Sequence, residues 1–192
     1  MELKLLIAGI GGQGVIFATK VLSQAALSRG ESVMASENHG MSQRGGSVQT
    51  HFTIGSGDAP LIARGAADVL VGLDRMEALR NLAYVRPGGC VYVNSANGLE
   101  PTIDQRLAAL GIGVFDIDAI GLVQELRAPA VLNLVMLGFA AAHGGLLLTL
   151  DDLKNAVRAL GPAKAVDMNL LALDAGAARV GAARGVHSVA GK

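Results

Sequence analysis

Residues 36–46 form a polar, glycine-rich segment whose side chains could take part in chemistry. We call it the polar segment; Met41 is its one large apolar side chain. Such a composition does not build a core, and its glycines permit positive φ values and close approach of a second molecule. The polar segment therefore predicts a surface that faces a ligand or a partner. Its candidate residues are Ser36, Glu37, His39, Gln43, Arg44, Gly45 and Gly46.

Three side chains of the polar segment could act on a ligand. Arg44 carries a planar guanidinium that could pair in bidentate fashion with a carboxylate or a phosphate. An internal ion pair with Glu37 is the alternative, and the two arrangements could hold in different states. His39 could serve as an acid–base group or could fix the loop through a hydrogen bond. Glu37 and His39 have no evident third ligand, so the pattern predicts no metal site.

A second glycine cluster, residues 9–14, follows a short apolar run and opens a helical pattern. We call it the glycine loop. Its Gly-x-Gly-x-x-Gly spacing matches the fingerprint of dinucleotide sites, in which backbone amides and a helix N-terminus hold a pyrophosphate. Glu37 lies roughly where the ribose-binding acid of such a site belongs. The residues of this possible anion or partner loop are Gly9, Gly11, Gly12, Gln13 and Gly14.

The glycine loop also has an interpretation without a nucleotide. A tight strand-to-helix turn packed against a neighbouring chain would need the same glycines. In that case Gln13 would orient a partner loop or cap the start of its helix. Occupancy by another anion, such as part of coenzyme A, stays open. Under either interpretation we expect the glycine loop and the polar segment to form one surface.

The elements that must position these segments alternate between strands and helices. Apolar or alternating runs predict strands at 3–8, 32–35, 47–54, 69–71, 90–93 and 113–116, with 47–54 half-buried. Helical patterns cover 13–29, 102–110, 119–126, 130–143, 151–160 and 165–180, Asp74 with Glu77 predicts a capping box, and Pro87-Gly88-Gly89 predicts a turn. The alternation predicts an α/β fold: a three-layer α/β/α sandwich, Rossmann-like, with a largely parallel central sheet. We expect one domain over 1–181 and a flexible C-terminal tail at 182–192.

Composition limits the possible functions. Lys+Arg and Asp+Glu are equal at 16 each, and aromatic residues make up 3 %, so neither a basic surface nor stacking platforms for nucleic acid are expected. The single cysteine, Cys90, cannot supply the thiolates of an iron–sulfur cluster or of a structural zinc site. The start of the chain lacks the pattern of a signal peptide, and we expect a cytoplasmic protein.

One apolar stretch, 130–150, has about the length of a membrane span. Asn133, His143 and a Gly-Gly pair interrupt it, so we expect a buried core or interface helix and no membrane segment. Because a buried amide needs a hydrogen-bond partner, Asn133 is expected to be structural or to lie at a subunit interface.

The motifs together resemble the gamma-type subunits of 2-oxoacid:ferredoxin oxidoreductases. Within that family the chain is most similar to the beta subunits of indolepyruvate ferredoxin oxidoreductases. The resemblance runs from about residue 3 to about residue 181, and Asn38 departs from the valine expected there. The segments that carry it are 9–15 and 36–48, supported by 67–70, 87–89, 133–138, 168–170 and 174–176.

The resemblance implies a place in a larger enzyme. Such complexes decarboxylate a 2-oxoacid on thiamine diphosphate, pass electrons through iron–sulfur clusters to ferredoxin, and release an acyl-coenzyme A. This chain has only Gly57-Asp58-Ala59 in place of the Gly-Asp-Gly that begins a thiamine diphosphate site, and a single cysteine. The resemblance therefore implies a larger partner subunit that carries thiamine diphosphate, magnesium and 4Fe-4S clusters, with coenzyme A as co-substrate.

Two functions remain at this point. The first is the non-cofactor subunit of an arylpyruvate:ferredoxin oxidoreductase, with phenylglyoxylate or a branched-chain oxoacid as alternative substrates. The glycine loop and the polar segment would face the partner's active site, with Glu37, His39 and Arg44 in supporting roles. The second is a stand-alone Rossmann-like protein that binds a nucleotide or a flavin. An exposed partner-binding face would also favour a homodimer of the isolated chain.

Overall fold

The computed structural model describes residues 2–40, 45–55, 59–161 and 163–180. These residues fold around one six-stranded sheet. The strands are β1 (Leu3–Ile10), β2 (Val33–His39), β3 (Ser47–Ile54), β4 (Ala67–Gly72), β5 (Val85–Asn94) and β6 (Gly113–Ile117). The helices are α1 (Val15–Ser28), α2 (Arg75–Asn81), α3 (Pro101–Ala109), α4 (Ala119–Glu125), α5 (Leu132–Ala142), α6 (Leu150–Leu160) and α7 (Ala163–Ala177), with short 3-10 turns at Leu82–Tyr84 and Pro129–Val131.

The strands lie in the order β2-β3-β1-β4-β5-β6. β1, β4, β5 and β6 pair in parallel, whereas β3 runs antiparallel to both of its neighbours, β1 and β2. β2 therefore has the same direction as β1, and β3 alone is reversed among the described strands. This arrangement confirms the predicted α/β sandwich with a largely parallel sheet.

Helices cover both faces of the sheet, which gives the three predicted layers. On one face, α1, α4, α5, α6 and α7 bury a large core around Phe52, Tyr92 and Phe139. On the other face, α2 and α3 cover a smaller core around Leu6, Leu70 and Val91. Burial on both faces explains why β1, β4 and β5 are apolar runs without alternation.

Helices α5 and α7 cross at very close range. A Cβ built on Gly176 would lie 1.9 Å from the Val135 carbonyl oxygen, and one built on Gly138 would lie 2.1 Å from the Leu173 carbonyl oxygen. On each helix the glycine lies three residues after the carbonyl that the other helix's glycine contacts, so the two backbones touch. The predicted apolar helix is indeed a core helix, since every residue from Leu132 to Ala140 is buried. No described helix is long and apolar enough to cross a membrane.

The alternating strand differs from its prediction. The polar face of this half-buried strand predicts an exposed or interface position for His51, yet His51 is 2 % exposed and Thr53 is 1 % exposed. The cause is cover from α2 and from the chain that leads into β4: the His51 Nδ1 accepts a hydrogen bond from the Ile62 N–H at 3.0 Å. The polar face of β3 is therefore buried at His51 and Thr53 and half-buried at Ser47 and Gln49.

Other boundaries shift for local reasons. β2 continues to His39, so the first four residues of the polar segment are strand rather than loop. The glycines expected to form a turn at 87–89 lie inside β5, where the ladder with β4 shifts register between Ala67 and Val69. The predicted tail at 182–192 lies outside the described residues, as do Gly57 and Asp58.

Candidate functional site

The glycine loop lies at the carboxyl edge of the sheet, where the parallel strands end. β1 ends there at Ile10, and its parallel neighbour β4 ends at Gly72. From β1 the chain passes through α1 to β2 on one side, whereas β4 lies on the other side. Ligands of open α/β sheets bind at such reversals of strand order. The fold therefore puts this loop where a functional site is expected.

A backbone hydrogen bond joins the glycine loop to the polar segment. The Gly11 N–H donates to the Gly46 carbonyl at 2.8 Å, and the Gly40 N–H donates to the Ser47 carbonyl at 2.8 Å. Ser47 lies opposite Ile10 in the β1–β3 register. The two glycine-rich segments of the sequence are thus neighbours in the fold, and both ends of residues 40–47 meet beside the loop.

Gln13 closes the glycine loop on itself. Its Oε1 accepts from the Ile10 N–H at 2.9 Å, and its Nε2 donates to the Leu73 carbonyl at 3.4 Å. The side chain lies so close to the end of β1 that a Cβ on Gly9 would be 2.8 Å from the Gln13 Oε1. Gly9 is therefore needed to leave room for Gln13, which links β1 to the loop after β4.

This geometry differs from that of a dinucleotide site. The Gly11 amide is occupied by the Gly46 carbonyl, and the Gln13 N–H donates to the Ile10 carbonyl at 3.1 Å. Two of the amides that a pyrophosphate would use are thus bonded within the chain. Glu37 lies on β2, which β3 separates from β1, so it is about two strand spacings, roughly 10 Å, away from the loop strand. The sequence spacing suggested that Glu37 could bind a ribose, but the strand order places Glu37 too far from the glycine loop for that role.

The first half of the polar segment lies on the strand at the sheet's edge. Ser36 is half-buried opposite His51, Glu37 is exposed opposite Thr50, and His39 ends the strand opposite Val48. Gly45 has a φ of 74°, a conformation that glycine adopts without strain. Met41, Ser42, Gln43 and Arg44 lie outside the described residues, so the roles of Gln43 and Arg44 stay predictions.

The sequence analysis assigned Glu77 only a helix-capping role, but the structure makes it a functional candidate. Glu77, on α2, is only 1 % exposed. Its Oε2 accepts from the Ser47 hydroxyl at 2.7 Å, and its Oε1 pairs with the Arg80 guanidinium. The predicted capping box is half right, because Asp74 does accept from the Met76 and Glu77 N–H groups, at 2.8 and 3.0 Å, but the Glu77 side chain turns towards β3.

Two buried amides brace the neighbouring strand ends. Asn133 of α5 donates through Nδ2 to the Gly14 carbonyl at 2.8 Å, which gives it the structural role expected for a buried amide. Asn94 donates to the Leu73 carbonyl at 2.9 Å and accepts from the Ala119 N–H at 3.1 Å. The Leu73 carbonyl, shared by Gln13 and Asn94, therefore links the ends of β1, β4 and β5.

A cavity of about 250 Å³ opens farther along the same edge, beyond β5 and β6. Asp116, Asp118, Glu125 and Arg179 are among its charged lining residues, and none of the glycine-loop residues lines it. The Asp118 carboxylate caps α4 by accepting from the Gly121 N–H at 2.8 Å. The cavity is thus separate from the surface that the two glycine-rich segments form.

Among the residues that the structure describes, no three His, Cys, Asp or Glu side chains come together to hold a metal ion. Burial lowers the pKa of His51, so this ring is neutral near pH 7. Its Nδ1 accepts a hydrogen bond, which leaves the proton on Nε2.

Comparison with known proteins agrees with this fold. The sequence matches the family described as Pyruvate ferredoxin/flavodoxin oxidoreductase over residues 4–179. It is 31 % identical over 189 residues to the indolepyruvate oxidoreductase subunit IorB of Archaeoglobus fulgidus, with 92 % of this chain and 94 % of that protein covered. It is also 31 % identical over 178 residues to the ketoisovalerate oxidoreductase subunit VorA of Methanothermobacter marburgensis, covering 92 % of this chain but 36 % of that one.

A solved structure has the same fold. The pyruvate oxidoreductase subunit PORC of Thermotoga maritima superposes with a TM-score of 0.76 at 20 % sequence identity, covering 97 % of this chain and 99 % of that one.

Proposed function

Because the chain belongs to the pyruvate ferredoxin/flavodoxin oxidoreductase family, as a gamma-type subunit of 2-oxoacid:ferredoxin oxidoreductases, we propose its role within such a complex. It is the non-cofactor subunit of a cytoplasmic, thiamine diphosphate-dependent enzyme that oxidatively decarboxylates an arylpyruvate such as indolepyruvate to an acyl-coenzyme A, with ferredoxin as acceptor. The observation that carries this proposal is the Gly11–Gly46 hydrogen bond. It joins the two glycine-rich segments into one surface at the carboxyl edge of the sheet.

The cofactors belong to a larger partner subunit. The sequence has no Gly-Asp-Gly start for thiamine diphosphate, and its single cysteine cannot ligate a 4Fe-4S cluster. The residues of this chain do not fit either group. In relatives such as VorA, the matching region is about a third of a longer chain. That arrangement supports the proposal that this fold unit acts together with other parts of an enzyme.

The part played by this chain is to complete a cavity. Apolar and backbone surface from the glycine loop would exclude water from the partner's active site, which strengthens the electrostatic interactions made there. Donors of the polar segment, above all the Arg44 guanidinium, would meet the carboxylate of the 2-oxoacid or a phosphate of coenzyme A. The loop is held by its own side chains and backbone, so little ordering would be needed when the partner docks.

The relatives differ in the substrates for which they are named. Relatives of similar identity are named for indolepyruvate and for ketoisovalerate. The family resemblance of the polar segment favours an arylpyruvate, while phenylglyoxylate and branched-chain oxoacids are the alternatives. The pocket that selects among them would lie on the partner.

The first test is purification of the endogenous protein without oxygen, followed by native mass and cofactor analysis. We expect co-purification with a larger chain that holds thiamine diphosphate and iron–sulfur clusters, and ferredoxin reduction that is faster with indolepyruvate than with phenylglyoxylate or 2-oxoisovalerate. A free monomer or homodimer that holds a nucleotide or flavin would overturn the proposal. It would favour the stand-alone binding protein that the glycine spacing first suggested.

A further inference from the structure

A buried carboxylate contacts Ser47, the residue that follows the polar segment. Glu77 is on a seven-residue helix at the surface, yet it is 1 % exposed. A buried carboxylate is unfavourable unless it is paired and hydrogen-bonded. Glu77 meets that condition through two partners: the Ser47 hydroxyl, at 2.7 Å from its Oε2, and the Arg80 guanidinium at its Oε1. Burial of a carboxylate has a free-energy cost, and an apolar residue at this position would pack without that cost.

The bonds around Glu77 tie α2 to β3. The Asn81 Nδ2 donates to the Glu77 carbonyl at 2.8 Å, and the Gln49 Nε2 donates to the Asn81 Oδ1 at 2.8 Å. Ser47 and Gln49 are alternate residues on the same face of β3. Two consecutive positions on this face are therefore held by one helix.

Ser47 is the residue through which this network reaches the functional surface. It is the first residue of β3 and follows the polar segment directly. Its carbonyl accepts from the Gly40 N–H, and the adjacent Gly46 carbonyl accepts from the Gly11 N–H, both at 2.8 Å. The side chain of Ser47 thus fixes the point at which the polar segment returns to the sheet and meets the glycine loop.

We propose that Glu77 is a positioning residue which, through Ser47, sets the position of Gly40 and Gly46 against the glycine loop, and so the surface offered to the partner subunit. The inference rests on the proposed function of this surface. Glu77 touches no substrate; its effect passes from its carboxylate to the Ser47 hydroxyl and on to the backbone of Gly40 and Gly46. Arg80, whose guanidinium pairs with the Glu77 Oε1, orients the carboxylate.

The test uses the complex of the full chain with its larger partner subunit. The chain is titrated into a fixed amount of the partner, and 2-oxoacid-dependent ferredoxin reduction is recorded until it reaches a plateau. The variants are Ser47→Ala, Ser47→Thr and Glu77→Gln. Ser32→Ala is the matched control, because the Ser32 hydroxyl makes a bond of the same 2.7 Å length, to the Gly55 carbonyl, at the other end of the same hairpin. Thermal unfolding of each chain shows whether it is folded at the assay temperature.

We expect the plateau turnover to fall about tenfold in Ser47→Ala and in Glu77→Gln, since small misplacements of a site lower rates by one to two orders of magnitude. Ser47→Thr, which keeps the hydroxyl, should restore most of the plateau, and Ser32→Ala should leave it unchanged. A structural role alone would lower the amount of folded chain, raising the concentration needed for half-saturation without changing the plateau.

The outcomes separate the two proposals. An unchanged plateau in folded Ser47→Ala and Glu77→Gln complexes overturns the positioning role and leaves the proposed function in place. An equal loss in Ser32→Ala overturns it as well, because the effect would then belong to the hairpin as a whole. A wild-type chain that gives no turnover with the partner instead refutes the proposed function.

Discussion

Replacement of Gly176 by alanine tests the close crossing of α5 and α7. The added Cβ would lie 1.9 Å from the Val135 carbonyl oxygen and 3.0 Å from the Phe139 nitrogen. Because a carbon and a carbonyl oxygen need about 3.3 Å, the helices must separate locally by about 1.4 Å, the difference between 3.3 and 1.9 Å. The obstacle is backbone on the facing helix, so no side-chain rotation relieves it.

Two effects of opposite sign decide the stability of this variant. Alanine in a helix is favoured over glycine by about 1 kcal/mol. Forcing an extra carbon into a packed core destabilises by about 1–3 kcal/mol, occasionally more. Since the contact is with backbone, we take the upper part of that range and expect a net loss of about 2 kcal/mol for Gly176→Ala.

Urea denaturation of the purified chain measures this change. Ala175→Gly, a neighbouring substitution on the same helix, calibrates the propensity effect and should cost about 1 kcal/mol. Gly138→Ala presses on the Leu173 carbonyl in the same crossing, so the double variant should lose less stability than the sum of the two single losses. A Gly176→Ala chain as stable as the wild type, or more stable, would refute the argument that contact at this crossing outweighs helix propensity.

Further predictions concern the functional surface and its pH dependence. Gln13→Ala removes two hydrogen bonds of the glycine loop and should lower the free energy of unfolding by about 1–2 kcal/mol in the same denaturation assay; no change would show that the loop does not need them. Burial lowers the pKa of His51, so the unfolded chain takes up this proton first as the pH falls. Stability should therefore decline with acidification below about pH 6.5, and His51→Gln should flatten the slope; parallel slopes would argue against a neutral buried ring. Arg44→Ala should reduce turnover only in the assembled complex and leave the unfolding of the chain unchanged. Equal turnover of variant and wild-type complexes would exclude a catalytic role for that side chain.

The elements of the fold were readable from the sequence because most are strongly periodic or uniformly apolar. β1, β4 and β5 are buried on both faces, and α5 is buried along nearly all its length, so each appears as an apolar run. The glycine loop was placed correctly between β1 and α1. Turn and loop boundaries were less certain: the glycines at 87–89 favour a turn by composition, but they lie inside β5, where the ladder with β4 skips from Val85 to Cys90.

The sequence could not supply the order of the strands, and the functional interpretation of Glu37 depended on it. Local patterns show that β2 follows α1, but they do not show that β3 inserts between β1 and β2. Likewise, Glu77 three residues after Asp74 has the spacing of a capping box. Its true partner, Ser47, is 30 residues away in the chain. Only tertiary structure distinguishes a solvated capping glutamate from a buried one.

The insertion of β3 explains why this fold keeps the glycine fingerprint without the geometry of a nucleotide site. A strand that runs antiparallel to both β1 and β2 must begin at the edge where they end. The connection from β2 to β3 therefore returns beside the glycine loop, and Gly46 takes the Gly11 amide that a pyrophosphate would otherwise use. The same glycines that would admit a phosphate here admit a second segment of the chain. Their conformational freedom permits a contact between backbones, and it is the outer side of that contact that we propose faces a partner.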